Sequence, residues 1–248
     1  MDTYGIIGHP LGHSFSPDFF NQKFADENIR AVYKKFEIPA IENLYEVLDS
    51  NPELKGLNVT IPYKEKVISF LDEISVEARE IGAVNVVKVS QKKGERYLKG
   101  YNSDVIGFTR SIEPLLEPYH KKALILGTGG ASKAVQVGLK SLGLDYIFVS
   151  RYERPGTVTY SNIKAEDMEE YNVIVNCTPC GMFPNVDQCP LLPYEGMSRK
   201  TLLYDLVYNP NETLFMRKGM AQGATVKNGL EMLLLQAYAS WDFWNSND

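Results

Sequence analysis

The feature that most constrains the fold is a strand, loop, helix and strand in the middle of the chain. Residues 121–126 form an apolar run that predicts a strand, and a glycine-rich loop at 127–132 follows it. A helix then runs through Leu142 and is capped by Gly143, before a second predicted strand at 145–149. Strands that alternate with helices form parallel sheets, so this segment predicts an α/β unit.

The glycine-rich loop indicates the ligand of this unit. Glycines between a strand and a helix let backbone N–H groups approach a pyrophosphate at the helix N-terminus. A plain tight turn is the alternative, and Ser132 stands where such loops usually carry Gly or Ala. We therefore predict a Rossmann domain whose dinucleotide contacts include Gly127, Thr128, Gly129, Gly130, Ala131 and Ser132.

The end of the second strand of this unit predicts which dinucleotide binds. A carboxylate at this point binds the ribose of NAD, whereas arginine accommodates the 2′-phosphate of NADP. The chain has no acid directly at the strand end, although Glu153 is near, and two arginines follow. This pattern predicts NADP(H), with a phosphate clamp formed by Ser150, Arg151 and Arg154.

The first hundred residues also alternate between strands and helices, which predicts a second, mainly parallel sheet. Polar residues lie at or near the ends of its predicted strands, where the carboxyl ends of parallel strands would bring them to one edge. The set suits a small polyhydroxylated substrate and comprises Ser14, Ser16, Asn58, Thr60, Lys64, Asn85 and Asp104. Structural alternatives remain open: Ser16 and Asp104 as helix N-caps and Asn85 as a core amide.

Lys64 follows a strand, Leu57 to Ile61, that Pro62 ends. Proline suits the first position of a helix, so Lys64 is predicted to lie in a first helical turn. The helix dipole there disfavours a cation and stabilises the neutral amine, which suits proton transfer. The alternative is an ordinary surface lysine.

Composition excludes several classes of protein. The net charge is −5 with no basic block, so nucleic acid is not an expected partner. No signal peptide is recognisable and no apolar run is long enough to cross a membrane. The three cysteines predict no disulfide framework and favour a cytoplasmic setting. No metal site is expected, because His9 and His13 lack matching ligands nearby.

The last predicted helix starts near Leu230 and carries an apolar stripe that includes Leu233, Ala237 and Trp241. Gln236 lies within this helix as a buried amide, an exposed flank or a ligand contact. The helix is long for a connection within a Rossmann domain, so we expect it to return to the first domain. The predicted domains are residues 1–103 with 229–248, and residues 104–228.

Together these segments resemble the shikimate dehydrogenase family over nearly the whole chain. The similarity rests on seven motifs in the same order: the serine pair in 13–17, then 58–64, 82–85, 102–107, 127–132, 176–179 and 228–236. The resemblance implies an oxidoreductase that reduces 3-dehydroshikimate to shikimate with NADPH, in the pathway to chorismate and the aromatic amino acids.

The resemblance also implies roles for single residues. Lys64 and Asp104 would form the catalytic pair, in a cleft between the two domains. Six residues would hold the carboxylate and hydroxyls of the substrate: Ser14, Ser16, Asn58, Thr60, Asn85 and Gln236. Tyr208 would lie near the substrate and Gly229 near the nicotinamide. The protein is expected to act as a monomer or homodimer.

Two alternatives differ from this interpretation. A quinate/shikimate dehydrogenase with relaxed cofactor use would accept NAD, against which the two arginines argue. A non-catalytic NADP-binding module would have lost the reaction, against which the retention of Lys64 and Asp104 argues.

Overall fold

The computed structural model describes residues 1–12 and 14–246, so the prediction concerning His13 lies outside the described residues. The chain divides into two compact units. Unit 1 comprises Met1–Ser103 with Ala237–Asp248, and unit 2 comprises Asp104–Gln236. The chain returns from unit 2 to unit 1 between Gln236 and Ala237, within the last helix. This is eight residues after the boundary expected at 228/229.

Unit 1 is built on a six-stranded sheet with strand order β2-β1-β3-β5-β6-β4. Two short 3₁₀ helices, Ile41–Asn43 and Lys66–Phe70, connect its elements. The elements are β1 (Asp2–Gly8), α1 (Phe15–Asp26), β2 (Ala31–Glu37), α2 (Leu44–Ser50), β3 (Leu54–Val59), β4 (Glu73–Ile74), α3 (Val76–Ile81), β5 (Val86–Lys92) and β6 (Glu95–Tyr101).

Three of the five strand pairs in this sheet are parallel, since β1 pairs with β2 and β3 and β4 pairs with β6. Strand β5 runs antiparallel to both of its neighbours, β3 and β6. The sheet is therefore mainly parallel, as predicted, with one reversed strand in its interior.

Two predicted helix starts in unit 1 are wrong. Helix α1 begins at Phe15, so Ser14 rather than Ser16 is its N-cap residue, and no side-chain hydrogen bond caps the helix. No α-helix begins at Pro62 either. The segment after β3 is a turn closed by a bond from Tyr63 N–H to the Thr60 carbonyl, and only a 3₁₀ helix follows from Lys66. The helix-dipole argument for Lys64 therefore does not apply.

Unit 2 contains a second six-stranded sheet, with every pair parallel and strand order β12-β11-β10-β7-β8-β9. This is the order of a doubly wound dinucleotide-binding domain. Its elements are α4 (Asp104–Ile112), β7 (Lys122–Leu126), α5 (Gly130–Ser141), β8 (Asp145–Ser150), β9 (Thr157–Thr159), α6 (Asp167–Glu170), β10 (Val173–Asn176), β11 (Leu202–Asp205), α7 (Leu214–Met220) and β12 (Thr225–Lys227). Short 3₁₀ helices lie at Glu113–Leu115, Tyr160–Asn162 and Tyr194–Gly196.

The last helix, α8 (Leu230–Asn245), starts in unit 2 and ends in unit 1, which confirms the predicted return. In unit 1 its Trp244 lies against β3, where a Cβ at Gly56 would approach the indole to 2.3 Å. The Trp244 indole N–H also donates to the Val87 carbonyl at 3.2 Å. Within residues 1–12 and 14–246, no helix has the length and apolarity needed to span a bilayer.

Candidate active site

One edge of the unit 1 sheet collects the polar residues that follow or precede its strands. Register pairs Asn58 of β3 with Val86 of β5, and Val86 with Tyr101 of β6. Because β5 runs in the opposite direction, its amino end lies beside the carboxyl ends of β3 and β6. Thr60, Asn85 and Ser103 therefore share this edge.

Lys64 is attached to the same edge through its backbone. The Thr60–Tyr63 turn carries the chain out of β3, and the Val84 N–H donates to the Lys64 carbonyl at 2.7 Å. The Lys64 side chain is half-buried. Its backbone is thus fixed next to the residue that precedes Asn85.

Asn58 and Asn85 belong to one buried hydrogen-bond network, with 6% and 3% of their surfaces exposed. The Asn58 amide donates to Ser240 Oγ at 3.0 Å and to the Asn85 carbonyl at 3.4 Å. The Asn85 amide donates to Ser103 Oγ at 3.0 Å, and its oxygen accepts from Ser103 N–H at 2.7 Å. Ser103 Oγ and Ser240 Oγ lie 3.0 Å apart and share a hydrogen bond.

The serine pair precedes and opens helix α1. Ser14 is half-buried and Ser16 is buried. Tyr33 of β2 is hydrogen-bonded to Ser16 and donates from its hydroxyl to Asn58 Oδ1 at 2.7 Å. Burial raises the pKa of Tyr33 well above its usual value, while a hydrogen bond from Ser16 acts in the opposite direction.

Asp104 and Gln236 both belong to unit 2. Asp104 is the first residue of α4 and is buried. Gln236 is half-buried in α8, with its amide donating to the Leu233 carbonyl at 2.9 Å. Gly107 lets α4 pack closely on α8, since a Cβ there would lie 2.6 Å from the Met232 carbonyl oxygen and 3.0 Å from Gln236 Cβ.

The glycine-rich loop joins β7 to α5 at the carboxyl edge of the unit 2 sheet. Gly127 has φ +100°, which favours glycine. Gly129 has an extended conformation that any residue can adopt, and a Cβ there would meet nothing within 4 Å. Neither packing nor backbone conformation requires glycine at 129, so the open space fits the close approach of a pyrophosphate.

The structure explains why a serine can stand at position 132, where such loops usually carry Gly or Ala. The residue is buried, and its hydroxyl donates to the Gly129 carbonyl at 2.6 Å. Gly130 and Ala131 form the first turn of α5, so their backbone N–H groups are among those available to an anion at the helix N-terminus.

The two arginines lie close to this loop. Strand β8 ends at the buried Ser150, and Arg151 and Arg154 follow with exposed side chains. The Arg154 guanidinium donates to Thr128 Oγ1 in the glycine-rich loop at 3.4 Å. Arg151 lies over the Tyr152 ring at 5.9 Å. Burial raises the pKa of Tyr160 to about 12 and also raises the pKa of Cys180, while the charge of Arg151 acts in the opposite direction on both.

The segment that carries Tyr208 is held from below by a buried carboxylate. Asp205, at the end of β11, accepts hydrogen bonds from Asn176 Nδ2 at 2.9 Å, Val207 N–H at 3.0 Å and Thr213 Oγ1 at 2.6 Å. Burial raises the pKa of Asp205 to about 6, although these bonds lower it. Tyr208 is itself partly exposed, at 38%.

Gly229 follows β12 and packs against Leu206 and Val207. Its N–H donates to the Val207 carbonyl at 3.2 Å, and a Cβ would meet the Leu206 carbonyl oxygen at 2.1 Å. Only glycine fits at this contact.

Sequence reasoning missed three residues of the network: Tyr33, Ser103 and Ser240. Ser240 lies four residues after Gln236 and therefore on the same face of α8, which was the one available signal. No group of three or more His, Cys, Asp or Glu side chains that could hold a metal ion occurs among the described residues.

The fold and the site define a class of protein: a two-unit α/β protein with a dinucleotide-binding domain. Residues 6–87 match the family model described as "Shikimate dehydrogenase substrate binding domain". The NADP⁺-dependent shikimate dehydrogenase of Methanococcus maripaludis is 36% identical, over 98% of this chain and 92% of the relative. That of Halothermothrix orenii is 39% identical, over 97% and 89%.

A solved structure agrees with these matches. Shikimate 5-dehydrogenase from Thermus thermophilus, in complex with NADP(H) and shikimate, superposes with a TM-score of 0.84 at 31% identity, covering 99% of this chain and 94% of that one. The chain belongs to the shikimate dehydrogenase family, whose named relatives are NADP-dependent oxidoreductases. The predicted family and fold class are thereby confirmed.

Proposed function

We propose that this chain catalyses the reversible reduction of 3-dehydroshikimate to shikimate with NADPH, in the pathway to chorismate and the aromatic amino acids. The observation that carries the proposal is the polar edge of the unit 1 sheet. Thr60, Asn85 and the backbone of Lys64 lie together at this edge. Unit 1 is the proposed substrate domain and unit 2 the proposed NADP domain.

The substrate has one carboxylate, two hydroxyls and the ketone that is reduced. Small hydroxyl and amide groups recognise such a molecule through directed hydrogen bonds. Ser14 and Ser16 are proposed to bind its carboxylate. Thr60, Asn85, Gln236 and Tyr208 are proposed to contact its ring hydroxyls and to fix its orientation.

Lys64 and Asp104 are proposed as the catalytic pair. Reduction of a ketone adds a hydride at carbon and a proton at oxygen, and the ammonium group of Lys64 is the proposed proton donor. In the reverse direction the neutral amine of Lys64 accepts the proton from the substrate hydroxyl. Asp104 supplies a carboxylate that orients the lysine and balances its charge.

The cofactor is proposed to bind along the glycine-rich loop of unit 2. When bound, NADPH supplies the hydride. The backbone at Gly129, Gly130 and Ala131 would hold the pyrophosphate, with Gly127, Thr128 and Ser132 shaping the loop around it. Arg151 and Arg154, with Ser150, would hold the 2′-phosphate, and Gly229 would lie against the nicotinamide.

The experiment is to follow the absorbance of NADPH with the purified protein, shikimate and either NADP or NAD. We expect turnover with shikimate and NADP and much slower turnover with NAD. Equal rates with both cofactors, or turnover of quinate, would indicate the relaxed quinate/shikimate dehydrogenase. No turnover with either cofactor would contradict the enzyme and leave a non-catalytic NADP-binding module.

We also propose that the protein works in the cytoplasm as a monomer or homodimer. The support for a reducing compartment is that Cys177, Cys180 and Cys189 are all free thiols. The proposed partners are limited to the small-molecule substrate and the cofactor.

A further inference from the structure

The hydrogen bonds of Asn58 are used almost entirely inside the protein. An asparagine side chain offers two N–H donors and an oxygen with two lone pairs. Both N–H groups are engaged, one by Ser240 Oγ and one by the Asn85 carbonyl, and the oxygen accepts from the Tyr33 hydroxyl. Only 6% of the residue is exposed. This pattern is that of a group that holds other groups in place.

The partners of Asn58 determine its orientation. The Tyr33 hydroxyl donates at 2.7 Å, so the oxygen of the Asn58 amide faces Tyr33 and its nitrogen faces Ser240 and Asn85. Tyr33 is buried and stacks on Phe20, with ring centroids 4.8 Å apart, so its hydroxyl has a fixed position.

Asn85 is held at two points by the same network. Its backbone carbonyl accepts from Asn58, and its side-chain amide is bonded to Ser103 in both directions. Ser240 connects the two sides, because its hydroxyl accepts from Asn58 and shares a bond with Ser103. Four segments thus meet in this network: β2, β3, the C-terminal part of α8 and the residues that follow β6.

We infer that Asn58 is a positioning residue that, together with Tyr33 and Ser240, sets the place of Asn85 at the sheet edge. The role replaces a direct substrate contact by Asn58, which the family resemblance implied. The inference rests on the proposed function, because it assumes that Asn85 binds shikimate. It predicts that removing a hydroxyl that does not touch the substrate will weaken substrate binding.

The test uses the full-length protein with Tyr33→Phe and Ser240→Ala. Each removes one hydroxyl and keeps most of the side-chain volume. We expect each variant to raise the KM for shikimate about tenfold, the effect of losing one well-oriented hydrogen bond, while the KM for NADP changes less than about twofold. Calorimetric titration with shikimate should show the same loss of affinity without turnover.

The matched control is Tyr204→Phe in unit 2. Tyr204 is also fully buried, and its hydroxyl shares a hydrogen bond with Ser111. This variant loses the same type of bond, so it should lower the melting temperature without raising the KM for shikimate. A rise equal to that in Tyr33→Phe would show a general loss of stability and would overturn the inference.

Double variants that combine Asn58→Ala with Tyr33→Phe or Ser240→Ala distinguish a positioning role of Asn58 from direct substrate contact. If Tyr33 and Ser240 act through Asn58, each substitution should raise the KM less in the Asn58→Ala background than in the wild type. Any rise that remains measures the separate bonds of Tyr33 to Ser16 and of Ser240 to Ser103. Wild-type KM values for Tyr33→Phe and Ser240→Ala, beside a raised KM for Asn58→Ala, would show a direct contact by Asn58 and overturn the inference. These outcomes require a wild-type protein that turns over shikimate, so failure of the proposed function would be recognised first.

Discussion

Asn176 donates a 2.9 Å hydrogen bond from its side-chain amide to the carboxylate of Asp205, and both residues are fully buried. The bond joins the ends of two neighbouring parallel strands, β10 and β11. Through Val207 and Thr213, the same carboxylate fixes the segment on which Tyr208 lies.

The raised pKa of Asp205 predicts a pH-dependent stability. Its pKa is about 6 in the folded protein, above the value of the unfolded chain, so the folded state binds the proton more tightly. The stabilisation is fully present below about pH 4 and is lost as pH rises through about 6, a change of roughly 2–3 kcal/mol. Asp205→Asn should lack this dependence in urea unfolding at several pH values. Asp187→Asn, at an exposed aspartate of the same unit, serves as the control, and a wild-type-minus-Asp205→Asn difference that stays constant with pH would refute the assignment.

Lys64→Ala should abolish turnover and leave shikimate binding largely intact. Loss of a positioned proton donor typically lowers kcat by about 10²–10⁴-fold. Initial-rate assays would measure kcat, and calorimetric titration would measure shikimate binding. Lys66→Ala is the matched control, since Lys66 is an exposed lysine two residues further along the same segment. A Lys64→Ala variant with near-normal kcat would exclude proton transfer by Lys64.

Arg151→Ala should raise the KM for NADP far more than the KM for NAD. Only NADP carries the 2′-phosphate that the arginine is proposed to bind, so a loss of about tenfold or more should be specific to it. Arg154→Ala should have a similar direction, because Arg154 lies beside Thr128 of the glycine-rich loop. Arg110→Ala, at an exposed arginine in the last turn of α4, is the control. Equal increases in the KM for NADP and the KM for NAD would contradict the proposal that these arginines bind the 2′-phosphate.

Gly129→Ala and Gly229→Ala should fail in different ways. A methyl group at 129 meets nothing within 4 Å, so the melting temperature should hold while the KM for NADP rises about tenfold through a blocked pyrophosphate. A methyl group at 229 would lie 2.1 Å from the Leu206 carbonyl oxygen, so that variant should lose stability. Thermal unfolding and cofactor kinetics of both variants would separate the effects. Unchanged NADP binding in a stable Gly129→Ala would contradict the proposed approach.

Local sequence patterns were sufficient for much of the fold. The strands predicted at 121–126 and 145–149 match β7 and β8 to within a residue, and the glycine at 143 marked the end of α5. These signals are short-range, because strand and helix periodicity and a left-handed cap are encoded by neighbouring residues. They were enough to predict two α/β units.

Features set by distant residues were not predictable in the same way. The position of Asn85 depends on the reversed direction of β5, and no periodicity in residues 83–89 encodes the direction of a strand. Pro62 satisfied the local preference for a helix start, but the chain turns there instead. The network around Asn58 joins residues as far as 182 positions apart, so its members could not be grouped from sequence.

The shared helix α8 has a consequence for synthesis on the ribosome. Ser240 and Trp244, which complete unit 1 against Asn58 and Gly56, are translated after every residue of unit 2. Unit 1 therefore lacks the side chains of Ser240 and Trp244 until synthesis of unit 2 is complete. Of the two units, the one whose sheet is translated earlier is thus completed later.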